Sequence, residues 1–359
     1  MGYSLVSGGL GWFLVRVLLI ANPNSTSQND GLHRRIIPLL RSVEGLRLTG
    51  RFTHHPGHAE EICRGLTRQD WDLVVVVGGD GTVNEAVNGL LGPAGEDTAA
   101  PQDLPALAVI PTGSANVFAR ALGFPPEPVE ATMMLAGLIR NNLRRTICLG
   151  TWNGRWFAVN AGFGMDADVI ARVDETRTLG FAATPLRYLA VSTLVWTRAQ
   201  LDPPHIDVHA TAPDGRELRL RGVPLFVASN TNPWTFLGPV PVVTNPRNSF
   251  DRGLGLFGLT SLQGIRGVTS MLHLIGFGHR TVIEDWIRGR TVQFDDADRV
   301  VLECPDPRRF QADGEYAGEF ARAELVSRRD VLEVMAPRRA YPAASRSWRQ
   351  VARDLIRIR

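Results

Sequence analysis

Lysine is absent from this chain of 359 residues, and all 39 of its basic side chains are arginine. The absence excludes a Walker-A lysine, the strand lysine of protein kinases and any Schiff-base lysine. Phosphate bound here must be met by backbone N–H groups, by arginine or by a metal ion. A GC-rich coding sequence is enough to explain arginine throughout. Cysteine is also scarce: Cys63, Cys148 and Cys304 lie far apart and form no CxxC pair. That pattern fits a reducing cytoplasm and carries no zinc signal. No apolar run reaches the roughly 18 residues of a membrane-spanning helix. Residues 1–15 are uncharged and largely apolar but lack a basic leading region, so they read as an extension and not a signal peptide. The arginines are scattered and no aromatic-basic pattern recurs, which leaves nucleic-acid binding with little support.

What remains is an ordinary globular balance, with 44% hydrophobic and 21% charged residues and a formal charge of +3. The length suits two domains. Over the first 140 residues, strand-like segments at 15–21, 46–53, 73–77 and 107–110 alternate with helical spacing at 34–40, 60–66, 83–91 and 117–122. Such alternation predicts a layered α/β domain with a largely parallel sheet over 16–140. From 143 to 336 short strands follow one another between turns such as Asn153-Gly154 and Pro213-Asp214-Gly215. This half is expected to be a mostly antiparallel β-sandwich, interrupted by helical stretches at 186–198 and 268–275. Residues 345–359 place Trp348, Val351, Ala352, Leu355 and Ile358 at helical spacing among arginines. A basic amphipathic helix of this kind either docks on the first domain or lies on an anionic membrane surface.

Three polar loops follow strands of the first domain. Val77 runs into Gly78-Gly79-Asp80-Gly81-Thr82, with a helix after it, so that glycine backbone and helix N-terminal donors face a phosphate. Ile110 runs into Pro111-Thr112-Gly113-Ser114-Ala115-Asn116, again before a helix. Ala21 leads into Asn22-Pro23-Asn24-Ser25. Loops at the carboxyl ends of parallel strands share one crevice, and together they predict a nucleotide site. Asp80 is the odd member, since a carboxylate beside phosphates needs Mg²⁺ between them or a group to orient.

With these residues in view, the chain resembles the diacylglycerol kinase catalytic-domain family, which includes soluble bacterial lipid kinases and sphingosine kinases. The resemblance rests on Asn22-Pro23-Asn24-Ser25, on Gly78 to Glu85, on Pro111 to Arg120 and on Asp313-Gly314-Glu315. The first glycine turn alone is shared with NAD kinases and phosphofructokinases. The resemblance implies an α/β domain of that NAD kinase/phosphofructokinase-like type beside a β-sandwich, with ATP and Mg²⁺ in the cleft between them. It also implies a lipid acceptor, diacylglycerol first and a sphingoid or other long-chain alcohol second, met at a membrane surface by a cytoplasmic protein. Nucleotide contacts are expected from Asn22, Pro23, Asn24, Ser25, Thr26, Thr53, Gly79, Asp80, Gly81, Thr82, Val83, Asn84, Glu85, Gly113, Ser114 and Asn116. Asp313 and Glu315 would act on the acceptor hydroxyl across from Asp80, either being the base, and Asp80 would touch metal through the nucleotide. Asp166 and Asp168 are acceptor-site candidates.

Two departures stand out. Val117 occupies a position where many bacterial members have aspartate. Asp251-Arg252-Gly253 replaces a paired Asp-Asp-Gly that holds a structural Mg²⁺ in some members, and no such site is expected. An NAD kinase, or a nucleotide- or lipid-binding protein weakened in catalysis, are the alternative readings. His54, His55 and His58 cluster after a strand, but no Cys or carboxylate is seen to complete a metal set. They are read as lining the nucleotide edge or facing solvent. His205, Asp207 and His209 are expected on one solvated strand face, and Arg144 and Arg145 as surface pairs. The sequence does not give the oligomeric state.

Overall fold

Four consecutive valines, Val74 to Val77, fill the segment Leu73–Gly78, and every residue of this strand is buried. A β-branched run apolar on both faces suits a central parallel strand covered by helices on either side. In this computed structural model, residues 14–337 are described except 24, 26–30, 96, 97, 179–193, 196–202, 238, 239 and 264–288. The extension at the start, the C-terminal helix at 345–359 and the stretch at 268–275 therefore lie outside the described residues. So does the stretch at 186–198, apart from Leu194 and Val195, which are helical.

The first half runs β1 (Val15–Ala21), α1 (Leu32–Arg41), β2 (Leu46–Phe52), α2 (His58–Cys63), β3 (Leu73–Gly78), α3 (Asp80–Leu91), β4 (Ala106–Pro111), α4 (Val117–Ala121) and α5 (Pro128–Arg140). Strand β1 pairs in parallel with β2 and β3, and β3 with β4. The order β4-β3-β1-β2 therefore reverses direction between β1 and β3, and a crevice at the carboxyl ends opens at such a point. Helix α5 begins with Pro128 at its first position, and the Glu127 side chain accepts the Glu130 N–H at 2.7 Å, a cap that fixes its start. Helix α3 starts at Asp80, three residues earlier than its apolar spacing indicated.

The second half is strand-rich and antiparallel. It comprises β5 (Arg144–Trp152), β6 (Arg155–Phe157), β7 (Asn160–Gly164), α6 (Met165–Thr178), β8 (Ile206–Thr211), β9 (Glu217–Val223), β10 (Leu225–Ser229), β11 (Thr235–Leu237), β12 (Val240–Val242), β13 (Leu254–Leu259), β14 (Thr291–Ala297), β15 (Arg299–Ala312) and β16 (Glu315–Met335). Strand β16 joins the halves. It pairs antiparallel with β15 and β5, and its end lies parallel to β4 at Val334 and Leu107. The main sheet order is accordingly β14-β13-β10-β7-β15-β16-β4-β3-β1-β2.

Two main cores follow from this arrangement. One surrounds β1, β3 and β4 and recruits Ile147, Leu149, Trp156, Phe250, Leu332 and Val334 from the second half. The other lies among β7, β8, β10, β13 and β15, with Phe163, Phe226 and Phe310 at its centre. Burying an aromatic or leucine side chain of this kind is worth about 1.5–3 kcal/mol. The end of β16 is thus held by the first core, while its beginning carries Glu315 toward the crevice.

Candidate active site

Parallel pairing carries the loops after β1, β2, β3 and β4 to one edge, and hydrogen bonds then tie them together. The Asn22 N–H donates to Val77 O at 3.1 Å, Thr53 N–H to Ala21 O at 3.0 Å, and Thr112 N–H to Gly78 O at 3.0 Å. Side chains add to this: Asn22 Nδ2 donates to Thr82 Oγ1 at 3.2 Å, and the Ser25 and Thr112 hydroxyls lie 2.7 Å apart. The two glycine turns meet through backbone alone, since a Cβ on Gly113 would stand 2.6 Å from Gly79 Cα. Only glycine permits that approach. Asn116 closes the second turn from φ 50°, accepting from Gly113 N–H at 2.8 Å and donating to Gly113 O at 2.7 Å.

Asp80 stands between the turns. Its Oδ2 accepts the Val117 N–H and its Oδ1 the Phe118 N–H, each at 2.9 Å. These are first-turn donors of α4 that lack intrahelical partners. Burial pushes the Asp80 carboxyl up, opposed by those two hydrogen bonds and by Arg120. Arg120 itself sits 3.2 Å above the ring of Phe236, connecting α4 to β11.

The Asp-Gly-Glu segment is a two-residue hairpin between β15 and β16, with Ala312 opposite Glu315. Asp313 and Gly314 have φ of 53° and 80°, the left-handed pair that a type I′ turn demands. Asp313 is buried, and its carboxylate accepts four hydrogen bonds. Oδ2 takes Asn84 Nδ2 at 2.7 Å and Ala158 N–H at 2.6 Å, while Oδ1 takes Val159 N–H at 2.7 Å and Asn160 N–H at 3.0 Å. Burial outweighs these bonds and pushes the carboxyl up to about 6. Two bonds to each oxygen fill the acceptor sites of a carboxylate. Glu315 is instead exposed, and its Oε1 lies against the Cα of Gly81, where an added Cβ would collide with it.

The remaining expected residues divide. Val83 is buried at 1% exposure, so its side chain faces the core and not the crevice. Glu85 turns to α2, accepting Gly57 N–H at 2.8 Å and Ala59 N–H at 3.0 Å. Ser114 and Pro23 are exposed at the edge and Thr53 is buried beneath it. Asn24, Thr26 and the Asp166 side chain lie outside the described residues. Asp168, on α6, is 3.8 Å from Arg309 and has its carboxyl raised by burial, opposed by Arg309 and Arg308. Arg144 and Arg145 pair with Glu333 and Asp251, and Asp207 and His209 share the exposed face of β8, with His205 exposed just before the strand.

Sequence reasoning missed several members of this arrangement. Asn88 donates to Asn84 O and Trp156 O and accepts the Trp156 N–H, one turn beyond Asn84. Gln311 donates to Asn160 Oδ1 at 2.8 Å and accepts the Gly314 N–H at 2.9 Å, so it braces the hairpin. The signal for Asn88 was its place one helical turn after Asn84; for Gln311 there was none beyond proximity to the Asp-Gly-Glu turn.

Comparison with known proteins fits this geometry. Residues 16–151 match the model of the diacylglycerol kinase catalytic domain. A diacylglycerol kinase of Bacillus subtilis is 36% identical over 152 residues, which are 42% of this chain and 46% of that protein. One from Staphylococcus carnosus is 30% identical over 157 residues, 43% of this chain and 46% of the relative. The match therefore spans about half the length of these relatives. In three dimensions the chain is similar to a crystal structure of a diacylglycerol kinase from Bacillus anthracis, with TM-score 0.64 and 20% identity over 90% of this chain and 97% of the other. That likeness is one of fold.

Proposed function

We propose that this chain, whose segment 16–151 belongs to the diacylglycerol kinase catalytic-domain family, is a two-domain enzyme that transfers the γ-phosphate of ATP to a lipid hydroxyl. The observation that carries the reading is Glu315. A carboxylate from the β15–β16 hairpin lies on the first turn of α3, beside the glycine-rich backbone where a nucleotide phosphate would rest. A phosphate-binding turn alone suits many proteins; an exposed carboxylate held over it from another part of the chain suits transfer to a hydroxyl.

In this reading the loops after β1 to β4 hold the nucleotide. N–H groups at the start of α3 and the glycine-rich backbone of residues 79–81 meet phosphate oxygens, since no lysine is present. ATP enters as its Mg²⁺ complex. Each Asp80 oxygen accepts one bond from α4 and has further acceptor capacity, so Asp80 would be the residue to help hold that ion. The acceptor oxygen attacks the γ-phosphorus, its bond to the β–γ bridging oxygen breaks, and ADP leaves with the electron pair. The hydroxyl proton passes to Glu315. Asp313, with its acceptor sites filled, holds the hairpin and the 158–160 backbone in place and is a positioning residue. Diacylglycerol is the first-choice acceptor and a sphingoid or other long-chain alcohol the second. A substrate of this kind brings the enzyme to a membrane surface. No helix among the described residues is long and apolar enough to cross one.

Incubating the purified chain with γ-labelled ATP and a panel of diacylglycerol, sphingoid base and NAD⁺ tests the reading. Label in a lipid is the expected result. Label only in NADP⁺ would overturn it in favour of an NAD kinase. Nucleotide binding with no transfer to any acceptor would favour the catalytically weakened binding protein that Val117 and Arg252 suggest.

A further inference from the structure

The loop after β2 brings three histidines and a carboxylate together at the mouth of α2. His55 Nδ1 lies 3.0 Å from the carbonyl of Pro56. A carbonyl only accepts, so that nitrogen carries the ring proton and, in the neutral ring, Nε2 carries the lone pair. Nε2 faces Glu61 Oε2 at 3.6 Å. A proton on Nε2 makes this an ion pair; in the neutral ring two lone-pair atoms face each other, an arrangement that a metal cation bridges in the proton's place. His58 stacks on His55 with ring centroids 4.7 Å apart. Ligand atoms of His55, His58 and Glu61 all lie within 4.8 Å of one another. The sequence reading found no carboxylate for this set. Glu61 enters because the turn opening α2 places residues 55, 58 and 61 on one side, successive steps of three.

The surroundings hold the cluster in shape. Glu85 takes the Gly57 and Ala59 N–H groups, fixing the backbone on both sides of His58. The Nδ1–H to carbonyl bond of His55 is the outer-shell contact that orients metal-bound imidazoles. His58 is less prepared, because its Nδ1 accepts the His54 N–H at 3.0 Å. Metal binding at His58 therefore costs that hydrogen bond in either mode: the ion takes Nδ1 itself, or it takes Nε2 and the ring proton moves to Nδ1, which then no longer accepts.

We propose that His55, His58 and Glu61 form a binding site for a divalent transition ion of the zinc type, with the remaining coordination positions open to water. Two imidazoles and one carboxylate suit Zn²⁺, Co²⁺, Ni²⁺ or Cu²⁺ and are poorly matched to Mg²⁺. Ligands bonded at about 2.0–2.2 Å in tetrahedral geometry stand closer together than these atoms do now, so small rotations of exposed side chains must close the site. None of the three is among the residues assigned to nucleotide or acceptor.

The test is a Zn²⁺ titration of tag-free full-length chain against a chromophoric chelator, with His55→Ala, Glu61→Gln and His209→Ala. His209 is the control because it faces Glu217 at the same 3.6 Å but belongs to no such three-residue group among the described residues. One equivalent bound with Kd below about 10 µM, weakened at least tenfold in His55→Ala and Glu61→Gln and unchanged in His209→Ala, is the expected result. Absence of binding in that range, or equal binding by His55→Ala and the unaltered chain, would overturn the site.

Discussion

Asn84 and Asp313 are 229 residues apart in the chain, and the Asn84 amide donates to Asp313 Oδ2 at 2.7 Å. Asn84 lies on α3, one turn after the glycine-rich segment, and Asp313 opens the hairpin that carries Glu315. The same carboxylate gathers three consecutive backbone N–H groups at 158–160. One buried charge therefore sets the distance between the glycine-rich turn and the exposed carboxylate above it.

Removing the donor loosens that spacing. Asn84→Ala leaves Asp313 with three donors in a buried setting, and a hydrogen bond to a charged group contributes about 1.5–3 kcal/mol. Urea unfolding is expected to show a loss of that size, and kinase assays a fall in kcat larger than any rise in KM for ATP. A stability unchanged within about 0.5 kcal/mol would contradict the role given to this bond.

Asp313 also predicts a pH dependence. Its folded-state carboxyl is raised to about 6 by burial, above the ordinary aspartate value of about 3.9. The folded chain therefore holds this proton more tightly than the unfolded chain. The resulting stability is full below about pH 4 and declines as pH rises to about 6. Asp72 and Asp295 have lowered carboxyls: hydrogen bonds with Arg16 and with Asn245 and Arg247 outweigh burial. They act the opposite way, their stability being lost only as the solution becomes more acidic. Urea midpoints measured from pH 4 to 7 are expected to contain a declining component that Asp313→Asn removes. An identical pH slope in that variant would refute the assignment.

Glu315→Gln separates chemistry from folding. The side chain is exposed, so melting temperature is expected to stay nearly constant, whereas loss of the proton acceptor lowers transfer by about 10²–10⁴-fold. Nucleotide affinity, read by equilibrium binding, is expected to persist. Activity within a few-fold of the unaltered chain would move the proton acceptor elsewhere.

Asp80→Asn probes the joint between the two turns. An amide offers one acceptor oxygen to two N–H donors, so either Val117 or Phe118 loses its partner at a cost of about 1–3 kcal/mol. The second turn is expected to shift and nucleotide affinity to fall, measured by calorimetry with ATP. Gly113→Ala should act similarly through sterics, because the obstacle to its Cβ is the Gly79 backbone at 2.6 Å and not a movable side chain.

Much of the architecture at the carboxyl edge of the parallel strands was legible from residue order. A valine strand, a glycine turn and a helix predict a phosphate-facing loop because the constraints are local: backbone freedom, strand burial and helix donors all act within a few residues. The same holds for Pro111 to Asn116 and for the Asp-Gly pair, whose left-handed conformation is a property of those residue types. The antiparallel character of the second half could likewise be read from its closely spaced strands and turns.

Long-range partners could not. Asn84 and Glu85 sit side by side in one motif, yet α3 turns the first toward Asp313 and the second toward α2. Asp313 and Glu315 looked equivalent in sequence, and pairing of β15 with β16 and β7 buried one among backbone donors and left the other exposed over Gly81. Glu61 joined two histidines only once a helical turn had been formed. Local chemistry determined which residues are capable of binding phosphate or a proton. Their division of labour follows from burial and hydrogen bonding between segments hundreds of residues apart, and the tertiary structure alone decides those.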